Sequence, residues 1–212
     1  MNDEETRLET AIQAETAFGR ERLQLGRKIP VEANPDKVDL AQADFSGANL
    51  SGANFTAKNL HGVQFANALL RSTNFQGANL IGANFQQADL KNAILAEALL
   101  DHANLEQADL RKAEVWSASL ENANLSHAIC RETLFVDAAL INANLTGIDL
   151  CHADLRDGNL YQANLQESIL HHASLRSATL SEACLYHFAK WLPQIEPGEC
   201  SPSQLKNQSL LD

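Results

Sequence analysis

The chain has few of the residues that usually dominate a protein core. Of its 212 residues only 6% are aromatic, with two Trp, two Tyr and a single Met. A core made of a few large contacts is thereby excluded, and many small contacts must replace it. Long apolar runs are missing as well, and none approaches the roughly 18 residues of a membrane span. Positive charge is scarce: 16 Lys and Arg stand against 27 Asp and Glu, a net charge of −11. That balance disfavours direct nucleic-acid binding, because phosphate neutralisation needs a basic surface. Four Cys at irregular spacing make no disulfide framework, so a cytoplasmic location is expected. The acidic start, Met1-Asn2-Asp3-Glu4-Glu5, leads into no apolar stretch, and no secretory signal is expected there.

Ala and Leu are abundant, and they are strictly placed. Every fifth residue from Leu40 to Leu185 is apolar: twenty-two Leu, six Phe, Val115 and Cys130. Two residues before each lies a second register in which twenty-two of thirty members are Ala. Between the registers stands most often Asn or Asp, as in Ala48-Asn49-Leu50 and Ala153-Asp154-Leu155. A period of five fits neither a helix nor an unbroken strand alternation. It fits a chain that runs extended briefly and then turns a corner. Ala and Leu, two apart, share the inward face, and the residue between them faces out. Gly47, Gly52, Gly62, Gly77, Gly82 and Gly147 all fall in the second corner position, where a turn can use their conformational freedom. Arg71, Lys91, Arg111 and Arg131 recur at intervals of 20, as do Arg156 and Arg176, which suggests four five-residue sides per coil.

The Ala-Asn/Asp-Leu-x-x pattern over residues 38–187 closely resembles the pentapeptide-repeat proteins. The resemblance implies an all-β fold, a right-handed quadrilateral parallel β-helix of about 7.5 coils, roughly 35 Å tall at strand spacing. The first side then carries Leu40, Leu60, Leu80 and onward, and the second Phe45, Phe65, Phe85 and onward. The third carries Leu50, Leu70, Leu90 and onward, and the fourth Phe55, Phe75, Leu95 and onward. The early coils should be stacked with Phe, and Cys130 should act as a small apolar residue in a Leu slot.

Open solenoid ends need caps. Residues 1–37 are expected to form a helical N-terminal cap and a connector marked by Pro30 and Pro35. Residues 188–212 are expected to form a C-terminal cap and tail, whose aromatic beginning could also serve a homodimer contact.

No catalytic residues, cofactor or metal site are expected. The repeat supplies Asn, Asp and Ser automatically, and neither a phosphate loop nor a nucleophile elbow is present. Cys151, His152, His171 and His172 would meet on adjacent coils, yet consecutive residues point in different directions, which makes a zinc site the weaker reading. Two surface features are candidates for partner binding. Arg71, Lys91, Arg111 and Arg131 would form a basic ladder on the third side, with Lys112 beside it and Asp89, Asp109 and Glu132 as neutralising neighbours. Leu69, Ile94, Leu99, Ile129, Leu134 and Ile169 are apolar where Asn or Asp is usual. Among them Ile94 and Leu134 would lie near outward Trp116 and Val136 on the fourth side.

The expected function is a non-enzymatic interaction or scaffold module that presents flat walls to a protein partner. The resemblance implies an alternative, a DNA mimic that binds DNA gyrase and protects it against quinolones. The rod shape and negative charge suit the alternative. The basic ladder and the lack of loop insertions between 38 and 187 depart from it.

Overall fold

A computed structural model describes residues 40–184. The expected helical cap within 1–37 and the C-terminal cap and tail at 188–212 lie outside the described residues. From 40 onward the backbone repeats every five residues without a slip: two corner residues, then three residues of a side. The outward residue of each side pairs in parallel with the residue twenty positions later, from Asp44–Gln64 to Asn164–Cys184. Twenty residues therefore close one coil. Residues 40–179 make seven coils, and 180–184 begin an eighth.

Each side is too short to hold more than one ladder residue, yet four of every five amides find a backbone acceptor. In the unit around Leu50, Leu50 N–H donates to Leu69 O of the next coil at 2.8 Å. Gly52 N–H donates to Arg71 O at 2.8 Å, and Leu69 N–H to Ala48 O at 2.8 Å. Across the corner Ala53 N–H donates to Leu50 O at 3.0 Å.

The corner has one demanding position. Its second residue has φ between 53° and 72° in every unit, and the first corner residue does not share that region. This is the φ pattern of a type II turn. Glycine occupies the position only six times, and residues such as Glu97, Asn122 and Asp137 adopt the same left-handed backbone. Their strain is offset by the inter-coil hydrogen bond that the same amide donates.

Inside, the two apolar registers form one continuous core. Phe45, Phe65 and Phe85 stack along the second side at centroid distances of 5.6 and 5.1 Å. Phe55 and Phe75 stack along the fourth at 5.2 Å, and Phe75 meets Phe85 edge-on at 5.8 Å. Thr73 and Thr133, which replace Ala, bury their hydroxyls by donating to Leu50 O and Leu110 O. Cys130 is fully buried, and burial pushes its thiol pKa up, so it packs as an apolar side chain.

Candidate functional site

The outward residue of each side has a structural task. The first corner N–H is the one amide of the unit without a ladder partner, and the outward side chain two residues earlier serves it. All sixteen Asn and Asp residues at this position between 44 and 164 accept from that N–H, at 2.9–3.4 Å. This Asx turn explains the Asn/Asp preference of the repeat. On the second side the amides also bond to one another, Asn124 donating to Asn104 Oδ1 at 3.2 Å and Asn144 to Asn124 Oδ1 at 3.0 Å.

An apolar residue here has no oxygen to offer. Leu69, Leu99, Ile129, Leu134 and Ile169 each forgo the turn bond and remain 37–43% exposed. The fold alone gains nothing from them. Three are scattered along the third side. The rest gather on one edge of the rod, which the coil wraps so that fourth-side and first-side residues flank a single corner. Ile94 and Leu134 stand on the fourth side, Leu99 and Ala139 on the first, and Ala96, Trp116 and Val136 form the corner column between them. Ala96, one coil before Trp116, is fully buried although it stands on a corner. Trp116 is half-buried and directs its indole N–H toward Glu114 Oε2 at 3.5 Å.

The structure thus brings Ile94, Trp116, Leu134 and Val136 to one wall, and it adds Leu99 and Ala139. The signal for the additions was a five-residue step: 94 to 99 and 134 to 139 cross one corner. Ser119 completes the wall differently, donating its hydroxyl to Asp101 Oδ1.

Arg71, Lys91, Arg111 and Arg131 fall in one column, at the corner that follows the third side, and ion pairs hold each of them. Arg71 meets Asp89 at 2.7 Å, and Lys91 bridges Asp89 and Asp109 at 3.3 and 2.9 Å. Arg111 grips Asp109 at 2.7 Å, and Arg131 reaches Asp149 at 2.5 Å. Glu132 pairs instead with Lys112, at 3.5 Å. The role of Asp149 went unread in the sequence because Cys151, and not a base, follows it two residues on, so its ion-pair partner, Arg131, lies in the preceding coil. Partial burial opposes ionisation of Asp109, yet hydrogen bonds from Arg111 and Lys91 hold its carboxyl below the ordinary value. Asp149 is held low against the same burial by Cys151 and Arg131.

The column continues into Cys151, His152, His171 and His172. The His152 and His172 rings stack at 4.9 Å, and His171 lies 4.0 Å from His172. Burial and Asp149 push the Cys151 thiol up, away from the thiolate a metal prefers. Among the described residues no group of three or more His, Cys, Asp or Glu is placed to hold a metal ion. No helix among them is long and apolar enough to cross a membrane.

Seven coils of single-residue parallel bridges define a β-helical repeat protein. The chain belongs to the pentapeptide repeat family: its profile matches in eight copies over residues 31–57, 59–96, 95–126, 118–157 and 159–187. Proteins of this family form right-handed β-helices and generally serve as structural or interaction modules. Among solved structures the chain is similar to HetL of the cyanobacterium Nostoc, a pentapeptide repeat protein involved in heterocyst differentiation regulation. Identity is 26% over 68% of this chain and 81% of that one, with a TM-score of 0.39. A pentapeptide repeat protein of the Arabidopsis thaliana thylakoid lumen is 36% identical over 49% of this chain and 68% of that one, with a TM-score of 0.34. QnrB1, a plasmid-mediated fluoroquinolone resistance protein, is 16% identical over 71% of this chain and 87% of that one, with a TM-score of 0.35. No curated protein matches the chain.

Proposed function

We propose that the solenoid, residues 38–187, is a protein-interaction module without catalytic activity, and that its contact surface is the apolar wall around Trp116. One observation carries this reading. Ile94, Leu99 and Leu134 occupy positions where Asn or Asp would cap a corner amide, and all three flank the one corner column that holds the half-buried Trp116. Losing three caps, and leaving Leu99 and Leu134 exposed with Ile94 half-buried beside them, both work against folding and solubility. A Trp framed by aliphatic residues is the composition of a binding hot spot. Flat sides closed by tight corners suit an extended contact better than a small substrate, which needs a concave pocket. The free thiols of Cys130, Cys151 and Cys184 suit a reducing cytoplasm.

The test compares protein capture by the full chain and by its Trp116→Ala and Leu134→Asn variants. Loss of the same captured proteins in both variants supports the wall. Unchanged capture removes it.

A second reading, a DNA mimic that acts on DNA gyrase, draws support from the acids Asp101, Glu121, Asp137 and Asp157 near this edge of the rod. The paired bases of the corner after the third side weigh against it. Inhibition of gyrase supercoiling that disappears on reversing Asp101 and Glu121 would favour this reading, and no effect at micromolar protein would end it.

A further inference from the structure

We infer that the partner of the Trp116 wall presents an apolar centre framed by Lys and Arg side chains. The inference rests on the reading of that wall as the contact surface and adds the chemistry of what it meets.

The distribution of ion pairs carries the argument. On the corner after the third side, Arg71, Lys91, Arg111, Lys112 and Arg131 are all paired within the chain. The acids that serve them are Asp89, Asp109, Glu132 and Asp149. Around the apolar wall the opposite holds. Glu97, Asp137 and Asp157 share the corner column beside Trp116 and Val136, Glu114 stands between Ile94 and Leu134, and Asp101 and Glu121 line the next corner. None of these six carboxylates belongs to an ion pair among the described residues.

Their hydrogen bonds come from neutral donors. Ser117 Oγ donates to Asp137 at 3.0 Å, the Trp116 indole points at Glu114, and Ser119 and the Glu121 amide donate to Asp101. The negative charge is therefore held in place and left uncompensated. Asp137 and Asp157 stand on adjacent coils, as do Asp101 and Glu121, so like charges sit about 4.8 Å apart along the rod. Arg156 is near enough to help, but Asp154 takes it at 2.6 Å. Only Arg176, two coils beyond Val136, offers this edge a base outside an ion pair among the described residues.

An apolar centre with an anionic frame selects its occupant. Nucleic acid and anionic lipid surfaces are repelled by the six acids. A second copy of this chain is a poor fit, because the bases of its described residues that form a ladder are already paired. A purely cationic partner would make no use of Ile94, Leu99, Leu134 and Trp116. A protein surface or segment that combines aliphatic side chains with Lys and Arg satisfies both parts, the charges steering encounter and fixing register.

The test uses the full chain and three fluorescein-labelled peptides of equal length: one of Leu and Lys, one of Leu and Glu, one of Ser and Lys. The Leu–Lys peptide is expected to bind at least about tenfold more tightly than either of the others. Leu134→Asn should reduce its affinity to that of the Ser–Lys peptide. The combined Glu97→Gln, Asp137→Asn and Asp157→Asn variant should remove its advantage over the Leu–Glu peptide. All these positions are exposed, and thermal melting of each variant checks that the fold is kept. Equal binding of the Leu–Lys and Leu–Glu peptides, or no binding of any, overturns the proposed charge rule. Equal binding of the Leu–Lys and Ser–Lys peptides overturns the apolar half and favours a charge mimic. Failure here with capture that still depends on Trp116 and Leu134 would remove the charge rule and keep the wall. Capture indifferent to both residues would remove the wall itself.

Discussion

The backbone N–H of Glu121 donates to the carboxylate of Asp101, one coil earlier, at 2.9 Å. In most units the outward Asn or Asp two residues back would accept this bond. Here that residue is Ser119, whose hydroxyl also donates to Asp101. The corner amide is thus a real demand of the fold, met at Glu121 from the neighbouring coil because Ser119 does not serve it. Asp101→Ala removes both bonds and is expected to lower stability by about 1–2 kcal/mol in denaturant titration, whereas Asp101→Asn retains most of it.

Leu134→Asn supplies an acceptor for Val136 N–H where wild type has none. Stability should rise by about 0.5–1.5 kcal/mol, while partner capture falls. The two effects move in opposite directions only if Leu134 is kept for contact. A Leu134→Asn variant that melts lower than wild type would contradict the capping argument.

Phe65 is fully buried between Phe45 and Phe85 and also meets Phe75 edge-on. Phe65→Ala should cost about 3–5 kcal/mol, since neighbouring coils bonded to one another cannot collapse onto the void. Phe65→Leu should cost much less, about 1 kcal/mol. Leu105 and Leu125 already fill the same slot in later coils. Equilibrium unfolding separates the two.

Gly77 and Gly147 share the left-handed corner conformation, with φ of 63° and 66°. A Cβ on Gly77 meets nothing within 4 Å, but one on Gly147 would lie 2.4 Å from His127 Nδ1 of the preceding coil. Gly77→Ala should therefore cost only the backbone term, about 1 kcal/mol. Gly147→Ala should cost more, and a His127→Ala background should erase the difference. Thermal melts of the four variants decide it.

Acid should weaken the ion pairs of the third and fourth sides. The carboxyls of Asp109 and Asp149 are held below their ordinary values despite partial burial, and Arg156 holds Asp154 low. A depressed folded-state pKa contributes stability above the unfolded value, and that contribution is lost as pH falls through the folded one. Melting temperature should accordingly decline below about pH 4. Substituting the three by Asn should flatten the decline, and a slope unchanged by the substitutions would place the acid sensitivity elsewhere.

Much of the fold was legible because one short period repeats without a slip. A five-residue unit that buries Leu and Ala at fixed places leaves little freedom in register, and the spacing of Arg71, Lys91, Arg111 and Arg131 already suggested a twenty-residue coil. The Phe stacks and the buried role of Cys130 followed from that alignment. The purpose of the outward Asn and Asp residues did not, because periodicity marks a position as outward without naming the amide it serves.

The apolar wall was half legible. Ile94, Trp116, Leu134 and Val136 were readable as neighbours from the coil length. Leu99 and Ala139 join them only when the chain turns the corner and sets the fourth and first sides on either flank of one edge. Pairing went the same way: the column of bases was visible in the chain, but which acids compensate it depends on side chains that reach diagonally, as Arg131 does to Asp149. Sequence alone determined the period, the two inward registers and the negative net charge, because each is a property of order along the chain. The tertiary structure decided which charges cancel and which stay free beside Trp116, because cancellation depends on distance across coils.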